Sequence, residues 1–290
     1  MLWLHGRGGV ELRRGDGEGL RIYPIVDLAG TPILGAAGLC LAALERLRPL
    51  RRVFWGGSGR RSRRLLTNAA MVAGAFGLTR FGVIPVVVRV AGMASRRGFG
   101  LAAFLRPLPG PLRAAAAFLA FDYSMYLWHR MNHEVPVLWR FHRVHHTDLE
   151  LDLTTAFRFH AGEIAASIGL RAAQAALVGA SPRTALLYEV AMQCATAFHH
   201  SNIRLPEAIE RAINKVFVTP RMHTIHHSIE EREASSNWSV IFSFWDRIHG
   251  TFSPPFPERA IELGVPEIRD AGELSIFRLL VMPFRKREAA

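Results

Sequence analysis

Long apolar stretches alternate along the chain with short segments rich in charged residues. A helix that crosses a bilayer needs about 20 mostly apolar residues. Five stretches approach this length: residues 25–44, 65–88, 112–128, 161–180 and 184–198. Asp27 and Pro32 weaken the first stretch, so whether it crosses is left open, whereas the second is apolar enough despite Arg80 and Pro85. We therefore predict an all-α integral membrane bundle of about four spans.

The last two apolar stretches are separated only by Ser-Pro-Arg, which predicts a helical hairpin. Both stretches are short and carry polar residues, among them Glu163, Arg171, Gln174 and Glu189. A tilted or partly inserted hairpin accommodates both features. The alternative is a soluble helical protein with unusually apolar helices.

The distribution of arginine predicts how the helices are oriented. The chain has 36 lysines and arginines against 24 acidic residues, a net charge of +12. Eight arginines lie within residues 46–64 and five within residues 89–113. Since loops rich in arginine stay in the cytoplasm, we expect residues 46–64 there. The next two spans then lead out and back, and the hairpin repeats this path, which delivers His129 and His199 to the same cytoplasmic face.

Other features of the composition narrow the function. A basic chain can bind nucleic acid, but here the arginines flank apolar stretches, and no zinc finger, RNA-binding signature or basic zipper is recognisable. Cys40 and Cys194 are far apart in apolar surroundings, so no disulfide framework is expected. The N-terminus lacks the basic-then-apolar order of a signal peptide, so no cleaved export signal is expected.

Eleven of the thirteen histidines lie between residues 129 and 227. They form an HxxxH pair, two HxxHH motifs, an HH pair and one single residue: His129 and His133; His142, His145 and His146; His223, His226 and His227; His199 and His200; and His160. Residues three or four apart share one helix face, with Cβ atoms about 5–6 Å apart, so such pairs can close on one metal ion. The last two histidines of HxxHH diverge by about 100°, and the motifs supply too many imidazoles for one ion. Two metal ions are the economical interpretation, whereas His5 and His249 are interpreted as capping or packing residues.

The motifs exclude some metal chemistries. Imidazole suits zinc, iron, copper and nickel, but the zinc-protease motif needs Glu directly after its first His, where this chain has Arg130 and Thr224. Haem ligands would lie inside the apolar stretches rather than at their ends. A transporter should carry several charged residues near mid-membrane, and Asp122 is the best candidate. An all-nitrogen site for two metal ions beside lipid suits oxygen activation by iron.

Several motifs together resemble the fatty acid hydroxylase and sterol desaturase superfamily of membrane di-iron oxygenases. In order they are DYSMYLWHRMNH, WRFHRVHH, TAFRFHAGE, HHSNIRLP, VTPRMHTIHHS and WDRIHGTF, and the resemblance covers about residues 112–252. It implies a four-helix membrane base, a cytoplasmic helical cap and, between them, a centre of two iron ions, which zinc can replace in purified protein. The ligands it implies are the HxxxH pair, both HxxHH motifs and one or both members of the HH pair: His129, His133, His142, His145, His146, His199, His200, His223, His226 and His227. His160 matches a further histidine of the family, which is followed there by a proline and here by Ala161. We interpret His160 as either a ligand or a supporting residue.

Polar side chains near the motifs are candidates for orienting the histidines or for catalysis, because metal-binding histidines usually donate their second N–H to a carboxylate or carbonyl. We name Asp122, Glu163 and Asn202 for these roles, with Asp148 and Asp246 as further candidates.

The resemblance implies an enzyme that uses O2 and external electrons to hydroxylate or desaturate a lipid or sterol-like substrate. We expect a reductase, a ferredoxin or a cytochrome b5-like protein as electron donor, because the chain carries no haem, Rossmann or iron–sulfur motif. The alternative is a histidine-rich membrane protein that binds or transports metal without redox chemistry. We divide the chain into an N-terminal segment (1–64), a membrane domain (65–254) and a cytoplasmic tail (255–290), in which residues 275–288 form an amphipathic helix that lies on the membrane or packs on the cap.

Overall fold

The computed structural model describes residues 25–52, 58–256 and 260–285, so the prediction about a signal peptide and that for His5 lie outside the described residues. Within these ranges every regular element is helical, which confirms the all-α prediction. The α-helices are α1 (Thr31–Leu47), α2 (Ser58–Leu78), α3 (Ile84–Arg97), α4 (Leu101–Phe104), α5 (Gly110–Glu134), α6 (Pro136–His146), α7 (Ala161–Val178), α8 (Pro182–His200), α9 (Glu207–Ile213), α10 (Pro220–His226), α11 (Glu231–Ala234), α12 (Phe244–Ile248) and α13 (Ile276–Val281). Two π-helical segments, Ile25–Gly30 and Thr79–Val83, lead into α1 and α3.

The first two predicted stretches form helices long and apolar enough to cross a membrane. Within the described ranges these are Val26–Leu47, of 22 residues, and Gly59–Phe104, of 46 residues. The second continues through Pro85, which lies in the first turn of α3 directly after the π-helical segment Thr79–Val83. Arg80 donates two hydrogen bonds of 3.0 Å to the carboxylate of Asp27. The two charges that weaken these stretches in the sequence thus compensate each other across the helices.

The other three predicted stretches form α5, α7 and α8. These helices have 25, 18 and 19 residues but are less apolar than the two spans above. They pack with α3 into the core of the bundle, where α3 lies against both α7 and α8, and α5 lies against the same two helices. Phe121 of α5 stacks on Tyr188 of α8 with ring centroids 5.4 Å apart. The predicted hairpin therefore exists as two helices joined by three residues, with α3 packed against both of them.

The remaining helices cover the end of the bundle that carries the histidines. α6 follows directly on α5, and α10 packs against α8. The N-terminal segment is tied to this cover by Arg51, which donates to the Thr224 hydroxyl at 2.5 Å and to the Leu151 carbonyl at 2.6 Å. The C-terminal helix was predicted either to lie on the membrane or to pack on the cap. In the structure α13 packs on the helices that cover the histidines, since Leu279 is buried beside Val144 of α6.

Two glycines allow the ends of α3 and α7 to meet. Gly100 and Gly179 have φ angles of +93° and +62°, a backbone conformation that other residues rarely adopt. A β-carbon on Gly179 would lie 1.9 Å from the carbonyl oxygen of Phe99, and one on Gly100 would lie 2.7 Å from that of Ala176. Only glycine fits at either position.

Gly179→Ala is therefore expected to lower the thermal unfolding midpoint of the purified full-length protein, because the left-handed conformation alone costs about 1–2 kcal/mol for a residue with a β-carbon and the backbone must also move. The matched control is Gly169→Ala on the same helix, where no atom lies within 4 Å of the added carbon. The control should keep or slightly raise the midpoint, since alanine is the better helix former. Equal midpoints for the two variants would contradict the assigned contact.

Candidate metal centre

The corner between α5 and α6 positions the first two histidine motifs. Pro136 opens α6 one residue after α5 ends, so the chain turns there without a loop. The last turns of α5 carry His129 and His133, which thereby face α6. The ring centroids are 5.2 Å apart between His129 and His142, and 4.7 Å apart between His133 and His146.

The ends of α8 and α10 bring the other two motifs to the same place. His199 and His200 form the last turn of α8. The short helix α10 carries His223 and His226, and His227 follows at its C-terminus. The rings of His200 and His223 are 4.2 Å apart, so histidines distant in the sequence converge at one end of the bundle.

Nine of these histidines form two compact groups. The five-histidine group is His129, His133, His142, His146 and His226, and the four-histidine group is His145, His200, His223 and His227. Within each group the nearest ring nitrogens all lie within 4.8 Å of one another. Seven of the nine rings are buried, and the other two, on α5, are half-buried.

The two HxxHH motifs divide between the groups in a reciprocal way. His142 and His146 lie in the five-histidine group, while His145 between them points to the four-histidine group. The second motif does the opposite, because its first and third histidines lie in the four-histidine group and only His226 crosses to the other. A helix permits this division, because the last two histidines of each motif point about 100° apart around the axis.

Backbone carbonyls fix the orientation of three of the rings. The pairs, each joined through the histidine Nδ1, are His129 with Trp238 (2.9 Å), His200 with Thr196 (2.8 Å) and His226 with Ser236 (2.8 Å). A carbonyl oxygen only accepts hydrogen bonds, so Nδ1 must carry the proton and Nε2 keeps its lone pair. These three rings are therefore held with an unprotonated nitrogen, the form in which imidazole binds a metal ion.

Burial favours the neutral form of several grouped imidazoles. Burial, reinforced by His142 and His200, lowers the pKa of His226 to about 3. Burial and neighbouring histidines also lower the pKa of His145, His223 and His227 well below the usual value. Neutral imidazoles can bind metal near pH 7, whereas protonated ones would repel both the ion and each other.

The spacing of the nitrogens fits shared metal ions. The Nε2 atoms lie 3.2 Å apart in His142 and His146, 3.0 Å apart in His145 and His200, and 3.1 Å apart in both His200–His223 and His223–His227. Two nitrogens each about 2.1 Å from one ion, at a right angle, are about 3.0 Å apart. The buried Nε2 atoms of His133 and His226 have no hydrogen-bond partner. The chemistry of the donors, their spacing and these unpaired atoms all suit metal binding.

Glu163 is one of the three residues named as catalytic candidates, and its Oε1 lies 2.9 Å from Nδ1 of His142, a member of the five-histidine group. Within the described part of the chain, it is the candidate that contacts a grouped histidine. Asp122 instead accepts hydrogen bonds from Trp245, Tyr188 and two backbone N–H groups that follow α10 in the chain. Asn202 bonds to both backbone groups of Arg51, at 2.9 and 3.0 Å. The structure thus uses Asp122 and Asn202 to hold backbone segments, and neither orients a histidine of the described part.

Two predicted histidines lie outside both groups. His199 lies beside the four-histidine group, with its ring centroid 4.1 Å from that of His223. His160 caps the N-terminus of α7, where its Nδ1 accepts the N–H of Gly162 at 2.9 Å. Its Nε2 donates to the carbonyl of Leu280 at 3.1 Å. Both nitrogens of His160 are therefore occupied, which makes it a structural residue.

Asp246 acts on the histidines indirectly. Its carboxylate accepts the N–H groups of Trp238 and Ser239 at 2.9 and 3.0 Å, and so fixes the loop whose carbonyls orient His129 and His226. Sequence reasoning identified Asp246 but not those carbonyls, because every residue carries one and no side-chain pattern marks the useful ones. Asn237, between them, has a φ of +56°, and asparagine tolerates this conformation better than most residues.

Arg158 supports the end of α6, a role that the sequence motifs did not indicate. Its fully buried guanidinium donates to the Val144 carbonyl and, at 3.1 Å, to the Thr147 hydroxyl, at the end of α6. Asp148 lies next to it and pairs with Arg64 at 2.7 Å. Burial opposes the charge of Asp148, but the two guanidiniums outweigh this effect and lower its pKa to about 2. The only signal in the sequence is a charged residue within the apolar TAFRFHAGE stretch.

A cavity of about 160 Å³ reaches both histidine groups. Its polar lining includes grouped histidines of both kinds, His129 and His142 from one and His145, His200 and His223 from the other. Its apolar lining comes from α2, α5 and α8 and includes Ala75, Phe76, Met125 and Met192. A slender apolar molecule can therefore reach the edges of these rings from within the bundle.

Comparisons with known proteins give a consistent result for the same part of the chain. Residues 114–251 match the model of the fatty acid hydroxylase family. The chain is 31% identical over 148 residues to ornithine lipid hydroxylase OlsE of Rhizobium tropici, an alignment that covers 50% of this chain and 43% of the relative. It is 30% identical over 155 residues to a cholesterol 25-hydroxylase-like protein of Danio rerio, covering 51% and 60% of the two chains. It is 29% identical over 153 residues to alkylglycerol monooxygenase of Homo sapiens, covering 51% and 32%.

The aligned segment thus spans about half of this chain and less than two thirds of each of these relatives. No solved structure matches the chain. The family match covers the segment that carries all nine grouped histidines, which confirms the resemblance identified from the motifs. Residues 114–251 thus match the fatty acid hydroxylase family, and these relatives support the resemblance of this segment to the fatty acid hydroxylase and sterol desaturase superfamily.

Proposed function

We propose that this protein is a membrane-bound di-iron oxygenase that hydroxylates a lipid. The observation that carries the proposal is the largely apolar cavity that reaches two neighbouring groups of histidines. A protein that only stores or transports metal needs the histidines but not the cavity. In the proposed reaction one oxygen atom of O2 enters a C–H bond and the other leaves as water, with two electrons and two protons supplied from outside.

In this proposal each histidine group holds one iron ion. Iron bound by imidazole supplies the oxidising strength that an unactivated C–H bond requires. The protein's part is to fix the ring orientations through the carbonyls of Thr196, Ser236 and Trp238 and through Glu163, and to keep water from the site by burial. His199 lines the cavity beside the four-histidine group and is proposed to contact substrate or complete that group.

The names of the relatives support a lipid substrate and hydroxylation rather than desaturation. They are hydroxylases or monooxygenases, and their names refer to ornithine lipid, cholesterol and alkylglycerol. In the proposed arrangement residues 65–254 form the membrane domain, whose helices α2–α3, α5, α7 and α8 cross the bilayer. The arginine-rich segment 46–64 and the histidines then face the cytoplasm, where a reductase, a ferredoxin or a cytochrome b5-like protein delivers the electrons.

Removal of metal should destabilise the protein. A ligand that binds only the folded state stabilises it, by about 2.7 kcal/mol at a hundred times its dissociation constant, and here two ions are proposed. We expect iron-loaded protein to contain two metal ions per chain and to unfold at a lower temperature after chelation and dialysis. An unchanged unfolding midpoint, or a metal content near zero after reconstitution, would count against the metal centre.

His145→Ala should abolish substrate-dependent O2 consumption while the protein remains in the membrane fraction, because the four-histidine group loses a ligand. The assay uses iron-reconstituted full-length protein, a chemical reductant and an extract of membrane lipids. The matched control is His249→Phe, since His249 is exposed, lies outside both groups, and stacks on Tyr126 in a way that phenylalanine can reproduce. Retained activity in His145→Ala, or no activity of the unmodified protein with any extract, would favour a role in metal binding without redox chemistry.

Glu163→Gln should weaken metal binding about 10–100-fold, the usual effect of losing a carboxylate that orients a metal-binding histidine. Competition with a chelator of known affinity measures the change. Glu207→Gln is the control, because Glu207 is exposed and pairs only with the neighbouring surface residue Arg211. If both variants bound metal as tightly as the unmodified protein, the contact between Glu163 and His142 would have no role in the centre.

A further inference from the structure

A buried ion pair lies inside the apolar part of the bundle. Arg171 of α7 and Glu189 of α8 contact each other directly. Their exposed fractions are 4% and 2%, so both are almost completely removed from solvent. A buried ion pair seldom gains stability over apolar side chains of the same size. Stability alone therefore does not explain why the pair is present.

The guanidinium of Arg171 has donors without adequate acceptors. Its Nε has no hydrogen-bond partner. One terminal nitrogen faces only two thioether sulfurs, those of Met125 at 3.1 Å and Met192 at 3.5 Å. Sulfur in methionine is a weak acceptor, and a buried donor left unsatisfied is costly. Oxygen from another molecule would satisfy these N–H groups better than any described residue does.

Both members of the pair line the cavity that reaches the histidines. Arg171 lies eight residues after Glu163 on the same helix, which places the two about 12 Å apart along its axis. Glu163 contacts His142 of the five-histidine group. The unsatisfied donors and the proposed metal centre therefore belong to one space, at a separation set by a rigid helix.

The charge of the pair selects the kind of oxygen that fits. Glu189 already balances the positive charge of Arg171, so a bound carboxylate or phosphate would leave a net negative charge buried in the bundle. A charge without a partner is strongly disfavoured there. A neutral acceptor adds hydrogen bonds and no charge.

We infer that the Arg171–Glu189 pair binds a neutral oxygen acceptor of the lipid substrate, a hydroxyl group or the carbonyl of an ester or amide. By holding this group, the pair determines which carbon of the apolar chain lies beside the histidines. The inference rests on the proposed function for the identity of the cavity as a substrate site. The binding step itself needs neither O2 nor electrons.

Equilibrium binding to the full-length protein in lipid nanodiscs tests the inference. Three labelled probes of equal chain length are compared, dodecyl acetate, dodecane and laurate, each corrected for its partition into empty nanodiscs. The key variant is Arg171→Met with Glu189→Met, which removes both charges together and so leaves no unpaired one. Gln174→Met is the control, because Gln174 is equally buried on α7 but bonds to Phe121 and Ser124 rather than lining this cavity.

The unmodified protein and the control should prefer the acetate to dodecane and to laurate. The double variant should bind dodecane as before, and its affinity ratio of acetate to dodecane should fall at least about tenfold. This is the change in affinity that corresponds to the loss of one hydrogen bond to a charged donor. Glu189→Gln should keep the preference for the acetate over dodecane, since it keeps the guanidinium, but should improve the binding of laurate relative to the acetate, since the guanidinium then lacks its own carboxylate. An undiminished preference in the double variant, or a preference for laurate in the unmodified protein, overturns the inference. Because no turnover is involved, a negative O2-consumption assay would refute the proposed function and leave this result standing.

Discussion

The packing of nine imidazoles into a small volume is the constraint on which the rest of the structure depends. Each ring must stay neutral, since even one protonated member would repel its neighbours at contact distance. Each must also aim a chosen nitrogen inwards. Solvent exclusion favours the neutral form, and hydrogen bonds to Nδ1 aim the rings of four histidines: His129, His142, His200 and His226. The surrounding helices and loops are arranged to deliver both at once.

Several polar residues serve this arrangement without contacting the rings. Arg158 secures the end of α6 by binding its last carbonyls, and Asp246 secures the loop that supplies carbonyls to His129 and His226. Asp122 joins α5 to the segment after α10 through backbone N–H groups. These buried charged groups are hydrogen-bonded, as buried polar groups must be to avoid a large desolvation cost. The positions of the histidines therefore depend on several helices and loops together rather than on one helix.

The sequence predicted the parts of this arrangement that follow from periodicity. Spacings of three and four residues indicated which histidines share a helix face, and the apolar stretches indicated the helices. Roles that depend on distant backbone were not predictable. Asp122 and Asn202 were expected near the histidines because carboxylates and amides often orient metal ligands, yet both bind backbone that the fold brings to them from elsewhere. Glu163 was predicted for the same reason and does contact His142, so residue type alone did not separate these cases.

The contact between Arg80 and Asp27 bears on how the chain enters a bilayer. A single charge near the centre of a spanning helix opposes insertion by about 2.5–3.5 kcal/mol. Arg80 lies near the middle of the helix Gly59–Phe104 and would carry such a penalty alone, whereas Asp27 lies at the start of Val26–Leu47. Paired, the guanidinium and the carboxylate present no net charge to the surrounding hydrocarbon. The N-terminal helix thus supplies a counter-charge to the second helix, so the two would enter a bilayer at a lower cost together than apart.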